Sequence, residues 1–264
     1  MTTRYLSAFL LCYGLLLPVS AEDLSTDDPG QAEVGNQQPK TAVELPSLRA
    51  IFDGFYRENG GRLIYEKMRS YRIVGKLKRN DQAFRLWIFR KYPNRFRIAH
   101  ESLEGRNIYG YDGTVFWRGL QRQGRLVSIE PIESYDPLEL AFEANFHSPL
   151  LTLHRMSRDL EVVAAEAING RKAYVVQGQI NDQATVRVWV DTEHFHEVYL
   201  EFVSEQKHFR VEFSDHRKVG DYWFAYSIIN VAVDGSSSTH IVVDEVTVNP
   251  GIFDSFFSPD FTPQ

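Results

Sequence analysis

After residue 70, apolar and polar residues alternate at a period of two along most of the chain, which is typical of β-strands. Gly, Pro, Asn and Asp separate the alternating segments, so the connections are short and turn-like. Such connections favour antiparallel pairing between successive strands. The predicted strands are Ser70–Lys78, Ala83–Lys91, Arg95–His100, Ile108–Tyr111, Thr114–Arg118 and Leu126–Glu130, then Leu160–Glu166, Ala173–Ile180, Thr185–Val190, Glu197–Ser204, His208–Ser214, Tyr222–Val233 and His240–Val248.

Apolar residues recur at helical spacing in only a few places. One helix is predicted over Pro46–Tyr56, with Pro46 suited to its first turn, and a short second helix over Leu63–Met68. Between the two runs of strands, Asp136 is suited to the N-cap of a helix because Pro137 follows it. The segment Ser148–Arg155 repeats the helical pattern. The chain is therefore predicted to carry helices at its start and a helical insertion in its middle.

Together these elements predict a mainly β (α+β) fold. A sheet of about 11–12 strands curls or closes on itself. The few helices are too few to cover both faces of a parallel sheet, which excludes a doubly wound fold. The expected architecture is a curved antiparallel sheet, an unclosed half-barrel, with the helices forming a lid over its mouth.

The first 45 residues differ in composition from the rest. Residues 1–21 have Arg4, a short apolar core and a small-residue end at Ala21, which predicts a cleaved signal peptide and export to the periplasm. Residues 22–45 are acidic and polar and predict a disordered linker. Residues 46–264 are predicted to form a single domain. Cys12 is the only cysteine, so its loss with the signal peptide would exclude disulfides and thiol catalysis.

Several predicted strands are apolar on both faces. Phe84, Leu86 and Ile88 share one face, while Trp87 and Phe89 occupy the other. One interpretation is burial of both faces within the protein's own core. The other is a sheltered cavity lined by aromatic and aliphatic side chains, open to an apolar guest. The sequence leaves both interpretations open.

The order of several short motifs resembles the LolA-like periplasmic lipoprotein carriers and the wider group of outer-membrane lipoprotein-sorting proteins. The resemblance covers most of residues 46–261. The motifs that carry it are Leu86–Lys91 followed by Pro93–Arg97, Asp112–Trp117, Pro149–Leu151, Val188–Asp191, Asn59–Gly61, Gly220–Phe224, Asn249 and Phe256–Phe257. Each motif is short, and the order and spacing carry the likeness.

This resemblance implies a half-barrel with a helical lid that binds acyl chains of a lipoprotein or lipid, without catalysis or cofactor. Membrane-bound donor and acceptor proteins are further implied partners. In such carriers a basic residue at the end of the second strand holds the lid shut, and Arg90 or Lys91 matches that position. The fold leaves open an alternative role as an envelope sensor or regulatory domain. The predicted cavity and lid residues are Trp87, Phe89, Arg90, Lys91, Phe96, Trp117, Leu150, Leu151 and Leu153.

Other chemistry has weaker support in the sequence. His194 and His196 supply at most half of a metal site. Glu130 and Glu133 are a possible glycosidase pair, although carboxylates beside a helix start are common. The sequence has neither a Gly-x-Ser-x-Gly elbow nor a phosphate-binding glycine loop, so a hydrolase is the least favoured function. The net charge of −6 argues against nucleic acid as a partner, despite the basic strip Arg85, Arg90, Lys91, Arg95 and Arg97.

Overall fold

One antiparallel sheet of thirteen strands forms the body of the protein in the computed structural model. The structure describes residues 44–79, 82–133, 135–205, 207–233 and 238–259. The strands are β1 (Ser70–Arg79), β2 (Gln82–Lys91), β3 (Arg95–Ser102), β4 (Gly105–Tyr111), β5 (Phe116–Arg122), β6 (Arg125–Pro131), β7 (Glu161–Ile168), β8 (Arg171–Ile180), β9 (Ala184–Asp191), β10 (Glu197–Ser204), β11 (His208–Val219), β12 (Tyr222–Ala232) and β13 (Ser238–Val248).

The strand order explains why the sheet stays open. It runs β6-β5-β4-β3-β2-β1-β13-β12-β11-β10-β9-β8-β7, so the first and last strands pair in the middle. The edges β6 and β7 are the two strands that flank the helical insertion in sequence. The insertion therefore connects one free edge to the other. The predicted mainly β, unclosed half-barrel is confirmed, with thirteen strands where about 11–12 were expected.

Besides the sheet, the described residues form four α-helices: α1 (Leu48–Glu58), α2 (Arg62–Lys67), α3 (Pro137–Ala144) and α4 (Pro149–Met156). Ser47 caps α1 by accepting a hydrogen bond from the Ala50 amide at 3.2 Å. Asp136 caps α3 through the Leu138 amide at 2.8 Å, with Pro137 in the first turn, as the sequence predicts. Pro46 lies one residue before the α1 cap, so its predicted place in the first turn is wrong.

The helices pack on one face of the sheet, which we call the inner face. Two buried apolar clusters fill it, one on each half of the sheet. Phe52 of α1 and Leu153 of α4 belong to the cluster over β8–β11. Helix α3 joins both clusters, because Phe142 packs in the first and Leu140 in the second. Burying such side chains stabilises the fold by roughly 1.5–3 kcal/mol each.

The opposite, outer face is partly covered by the C-terminal segment, residues 249–259, which includes a 3-10 turn at Asp254–Phe257. The Trp117 indole nitrogen donates a hydrogen bond to the Phe257 carbonyl oxygen at 2.9 Å. The Phe256 ring meets the Phe89 ring at 4.8 Å between centroids. The Trp117 ring lies against Gly110, where a β-carbon would come within 2.3 Å of the ring. The protein itself thus covers part of the aromatic outer face of β2 and β5, where Trp117 is buried and Trp87 and Phe89 are half-buried.

Strand β5 begins at Phe116 rather than Thr114, because the Asp112 carboxylate accepts hydrogen bonds from the Thr114 and Val115 amides, each at 2.8 Å. The predicted signal peptide and nearly all of the predicted linker lie outside the described residues. So do Asp234 and Gly235, turn-forming residues between the last two predicted strands. The proposed boundaries at residues 21 and 45 therefore stay predictions.

Candidate functional site

A cavity of about 230 Å³ lies between the helices and the inner face, and we call it the inner cavity. Strands from both halves of the sheet and all four helices or their flanking loops contribute to it. Its lining is largely aromatic and aliphatic. The apolar lining residues include Phe55, Met68, Tyr71, Ile73, Ile88, Phe142, Phe146, Leu200, Phe213, Phe224, Ile228 and Ile241. Such a lining suits an apolar guest.

Two buried ion pairs fasten α3 over this cavity. The Arg90 guanidinium at the end of β2 donates to the Glu143 carboxylate at 2.5 Å and to the Glu143 carbonyl oxygen at 2.5 Å. Lys207, between β10 and β11, pairs with the fully buried Glu139. Burial lowers the pKa of Lys207 to about 8. Helix α3 is therefore tied to both halves of the sheet by charges that are largely removed from water.

Helix α4 is capped by a side chain from the sheet. Ser148 at its N-cap makes no side-chain capping hydrogen bond, and the Glu197 carboxylate of β10 accepts one from the Leu150 amide at 2.6 Å. Burial raises the pKa of Glu197 to about 7. The amides at the helix N-terminus carry partial positive charge and therefore favour the ionised form of the Glu197 carboxylate. The position of α4 thus depends on a buried carboxylate of the sheet.

A cluster of His196, His216 and Trp223 forms one polar part of the cavity wall. The two imidazoles stack with centroids 4.6 Å apart, and the His196 ring lies 4.7 Å from the Trp223 ring. Nε2 of His196 is buried without a hydrogen-bond partner among the described residues. Burial, followed by the nearby His216, lowers the pKa of His196 to about 4. The imidazole is therefore neutral at pH 7.

Replacing His196 with phenylalanine is expected to weaken the acid sensitivity of folding. Between pH 6.5 and 4 the unfolded chain binds a proton at His196 that the folded protein does not, so acid lowers stability in this window. From pH 6.5 to 5 the free energy of unfolding of the wild type should fall by about 1.5 kcal/mol more than that of the variant. Urea unfolding at both pH values measures this.

The control Leu103→Phe places the same ring at an exposed position without a titrating side chain and should keep the wild-type pH dependence. The raised pKa of Glu197 acts in the opposite direction, since the folded protein then binds the extra proton between about pH 4.5 and 7. Glu197 is present in all three proteins, so it affects their pH dependence equally. A difference in pH dependence between wild type and His196→Phe is therefore due to His196. An identical pH dependence in wild type and His196→Phe would contradict the assignment of a buried neutral imidazole.

A second cavity of about 600 Å³ adjoins the first and is called the basic pocket. It lies between the α1–α2 pair, α4 and the turn after β2. Tyr65 and His147 line both cavities. The other residues that line it are Tyr56, Arg62, Glu66, Arg69, Tyr92, Leu151, His154 and Arg155.

The nine predicted cavity and lid residues fall in different places. Arg90 lines the inner cavity and Leu151 lines the basic pocket. Phe96 is fully buried on the inner face, with the Arg90 guanidinium 5.8 Å from its ring centroid. Leu150 and Leu153 are fully buried in the core beneath α4.

The remaining four predicted residues lie on the outer face. Trp87 and Trp117 belong to one small outer cluster, and Phe89 packs against the C-terminal segment. Lys91 donates to the Ile252 carbonyl oxygen at 2.6 Å and pairs with Asp254 at 2.6 Å. The basic strip is likewise divided between faces, since Arg90 points inward while Arg97 donates to the Phe256 carbonyl oxygen on the outer face. Sequence reasoning did not single out Glu139, Glu143, Glu197 or Lys207.

The candidates for metal binding and catalysis that the sequence offers lack the partners they would need in the described part of the chain. No group of three His, Cys, Asp or Glu side chains there is placed to hold a metal ion. Glu130 is exposed and pairs with Arg118 at 2.8 Å. Nε2 of His196 has no hydrogen-bond partner among the described residues, whereas a nucleophile needs its base within hydrogen-bond reach. None of the described helices is long and apolar enough to span a bilayer.

We compared the sequence and the fold with those of known proteins. A family model described only as an uncharacterized protein matches residues 155–262, which run from the end of α4 to the C-terminus. No curated protein matches the sequence. A DUF1329 family protein from Desulfovibrio piger is 12% identical with a TM-score of 0.57, and the match covers 80% of this chain and 97% of that one.

Two further solved structures carry names that describe the fold. An outer membrane lipoprotein-sorting protein domain from Vibrio parahaemolyticus is 13% identical with a TM-score of 0.52, over 79% of this chain and 94% of that one. A LolA superfamily protein from Nitrosomonas europaea is 12% identical with a TM-score of 0.51, over 81% and 98%. At such identities the likeness establishes the fold. The chain has the LolA-like fold: an open antiparallel half-barrel with helices on its inner face.

Proposed function

We propose that the protein is a non-catalytic carrier that holds acyl chains of a lipoprotein or lipid in the inner cavity. The observation that carries this proposal is the apolar cavity between the helices and the inner face of the sheet. Transfer of an acyl chain from water into such a lining gains about 0.8 kcal/mol per methylene. The names of the structural relatives agree with this role, since one is a lipoprotein-sorting domain.

The size of the cavity implies that its cover moves. At about 230 Å³ it is smaller than the roughly 300–1,000 Å³ typical of ligand sites. A long chain therefore needs the helices to shift, and α3 is the element whose attachments can break as discrete ion pairs. We assign the latch to Arg90 rather than Lys91, because Arg90 holds Glu143 of α3 while Lys91 holds the C-terminal segment.

The proposal includes the location of the protein. Residues 1–21 would direct export to the periplasm, and residues 46–264 would act there as one lipid-binding domain with residues 22–45 as a linker. Membrane-bound donor and acceptor proteins would load and unload the cavity, in a route that serves outer-membrane lipoprotein sorting.

A fluorescent fatty-acid probe tests the proposal directly. The purified protein should enhance the probe's emission on binding, and unlabelled palmitate should displace it. Native mass spectrometry of protein purified from an envelope fraction should show a lipid adduct that organic extraction removes. Absence of probe binding together with absence of any adduct would overturn the proposed function.

A further inference from the structure

The basic pocket concentrates positive charge in an acidic protein. Three arginines and one glutamate line it, a net charge of +2, whereas the whole chain carries −6. Arg62 is 3.9 Å from Asp53, which lies outside the pocket lining. Neither Arg69 nor Arg155 pairs with a carboxylate among the described residues. These two guanidinium groups are therefore available to an anion.

Aromatic side chains hold the arginines in place. The Arg69 guanidinium lies over the Tyr92 ring at 4.6 Å, and the Arg62 guanidinium over the Tyr56 ring at 5.0 Å. Stacking leaves the planar edge of a guanidinium free to donate two parallel hydrogen bonds to a phosphate. Arg155 also suits the C-terminal end of α4 electrostatically, but this accounts for only one of the three arginines.

The basic pocket and the inner cavity are neighbours, because Tyr65 and His147 line both. Burial, with a contribution from Arg155, lowers the pKa of His147, so the boundary is an uncharged imidazole beside a phenol. An amphiphile could thus place its apolar chain among Phe55 and Met68 and its anionic group among the arginines. The two cavities together have the polarity of such a molecule.

We propose that the basic pocket binds the phosphate group of an anionic amphiphile whose acyl chain occupies the inner cavity. This inference rests on the proposed function and adds the chemical class of the headgroup. It separates phosphate-bearing lipids from neutral acylglycerols with the same chain. A free phosphate ion shares the headgroup chemistry, and the experiment distinguishes the two sources.

The test compares 1-palmitoyl lysophosphatidic acid with 1-monopalmitoylglycerol, each as a competitor of the fatty-acid probe. Wild type should bind the phosphate-bearing lipid at least about tenfold more tightly, because arginine–phosphate hydrogen bonds are charge-assisted. The double variant Arg69→Gln/Arg155→Gln should reduce this ratio to about one and leave the Kd for monopalmitoylglycerol unchanged. The control Arg118→Gln/Arg122→Gln removes the same charge from exposed ion pairs of β5 and should keep the ratio.

Equal affinities for the two lipids in wild type would overturn the headgroup site and leave the acyl-chain proposal standing. An unchanged ratio in Arg69→Gln/Arg155→Gln would also overturn it. Inorganic phosphate that binds as tightly as the phosphate-bearing lipid, by calorimetry, would assign the pocket to the free ion and contradict the amphiphile. Failure of both lipids to bind would instead overturn the proposed function.

Discussion

Replacing Arg90 with methionine is expected to lower the free energy of unfolding by about 3–5 kcal/mol, because the substitution leaves the buried Glu143 carboxylate without its cation. The side chains of Arg90 and Glu143 are only 10% and 8% exposed, so water does not replace the lost partner. Urea unfolding followed by circular dichroism measures the loss. The double variant Arg90→Met/Glu143→Leu should recover most of it, since apolar residues of similar volume often substitute for a buried ion pair.

Lys91→Met is the matched control at the next position. Its partner Asp254 is 60% exposed, so the loss should be about 1 kcal/mol or less. Equal losses from Arg90→Met and Lys91→Met would contradict the assignment of Arg90 as the residue that fastens α3. Failure of the double variant to recover stability would show that Arg90 acts through contacts other than the Glu143 carboxylate.

Replacing Ile228 with tryptophan is expected to weaken binding of the fatty-acid probe at least about tenfold, an effect of roughly 1.4 kcal/mol or more. Ile228 lies near the middle of β12, lines the inner cavity and packs against both apolar clusters. The larger indole would occupy the volume intended for the acyl chain. Fluorescence titration measures the affinity, and circular dichroism checks that the sheet persists, since overpacking costs about 1–3 kcal/mol of stability.

Ile229→Trp provides the control, because Ile229 is the same residue type at the next position of β12 and does not line the inner cavity. Successive side chains of a strand point to opposite faces. Affinity for the probe should stay within about twofold of wild type, far below a tenfold step of affinity. Equal weakening by both variants would locate the probe elsewhere or show that the sheet itself is disturbed.

The sequence was sufficient to predict the sheet, because a period of two and turn residues mark each strand locally. The ends of the strands were harder to predict. Strand β11 was predicted to stop at Ser214, yet it continues to Val219 through Asp215, which has a positive φ of 53°. This left-handed residue interrupts the alternation without ending the strand pairing with β12. Strand β5 begins later than predicted, because the Thr114 and Val115 amides donate hydrogen bonds to the Asp112 side chain.

The site was harder to predict because strand β2 is apolar on both faces. Its inner residues Leu86 and Ile88 and its outer residues Trp87 and Phe89 have the same character in the sequence. The outer face is partly covered by the C-terminal segment, more than 150 positions away, and no local pattern in the sequence indicates that packing. On the inner face, Leu86 is buried in the core and Ile88 lines the inner cavity, so even one face of β2 serves two purposes.

The charges of α3 did leave a signal in the sequence. Glu139 and Glu143 are four residues apart, so they share a face, and they alternate with Leu138, Leu140 and Phe142. A short helix with this pattern has no wide polar side, which indicates that its carboxylates are buried and paired. Their partners Arg90 and Lys207 could not be assigned, because they come from strands far away in the chain.

The central claim is that an acyl chain lies in the inner cavity, and photo-crosslinking tests it most directly. A palmitate analogue with a diazirine near the end of its chain would be bound, irradiated and mapped by peptide mass spectrometry. The adducts should fall on the inner-face residues of β12 and β13, namely Phe224, Ile228 and Ile241, and unlabelled palmitate should suppress them. Adducts confined to the outer face, around Trp87 and Trp117, would contradict the account.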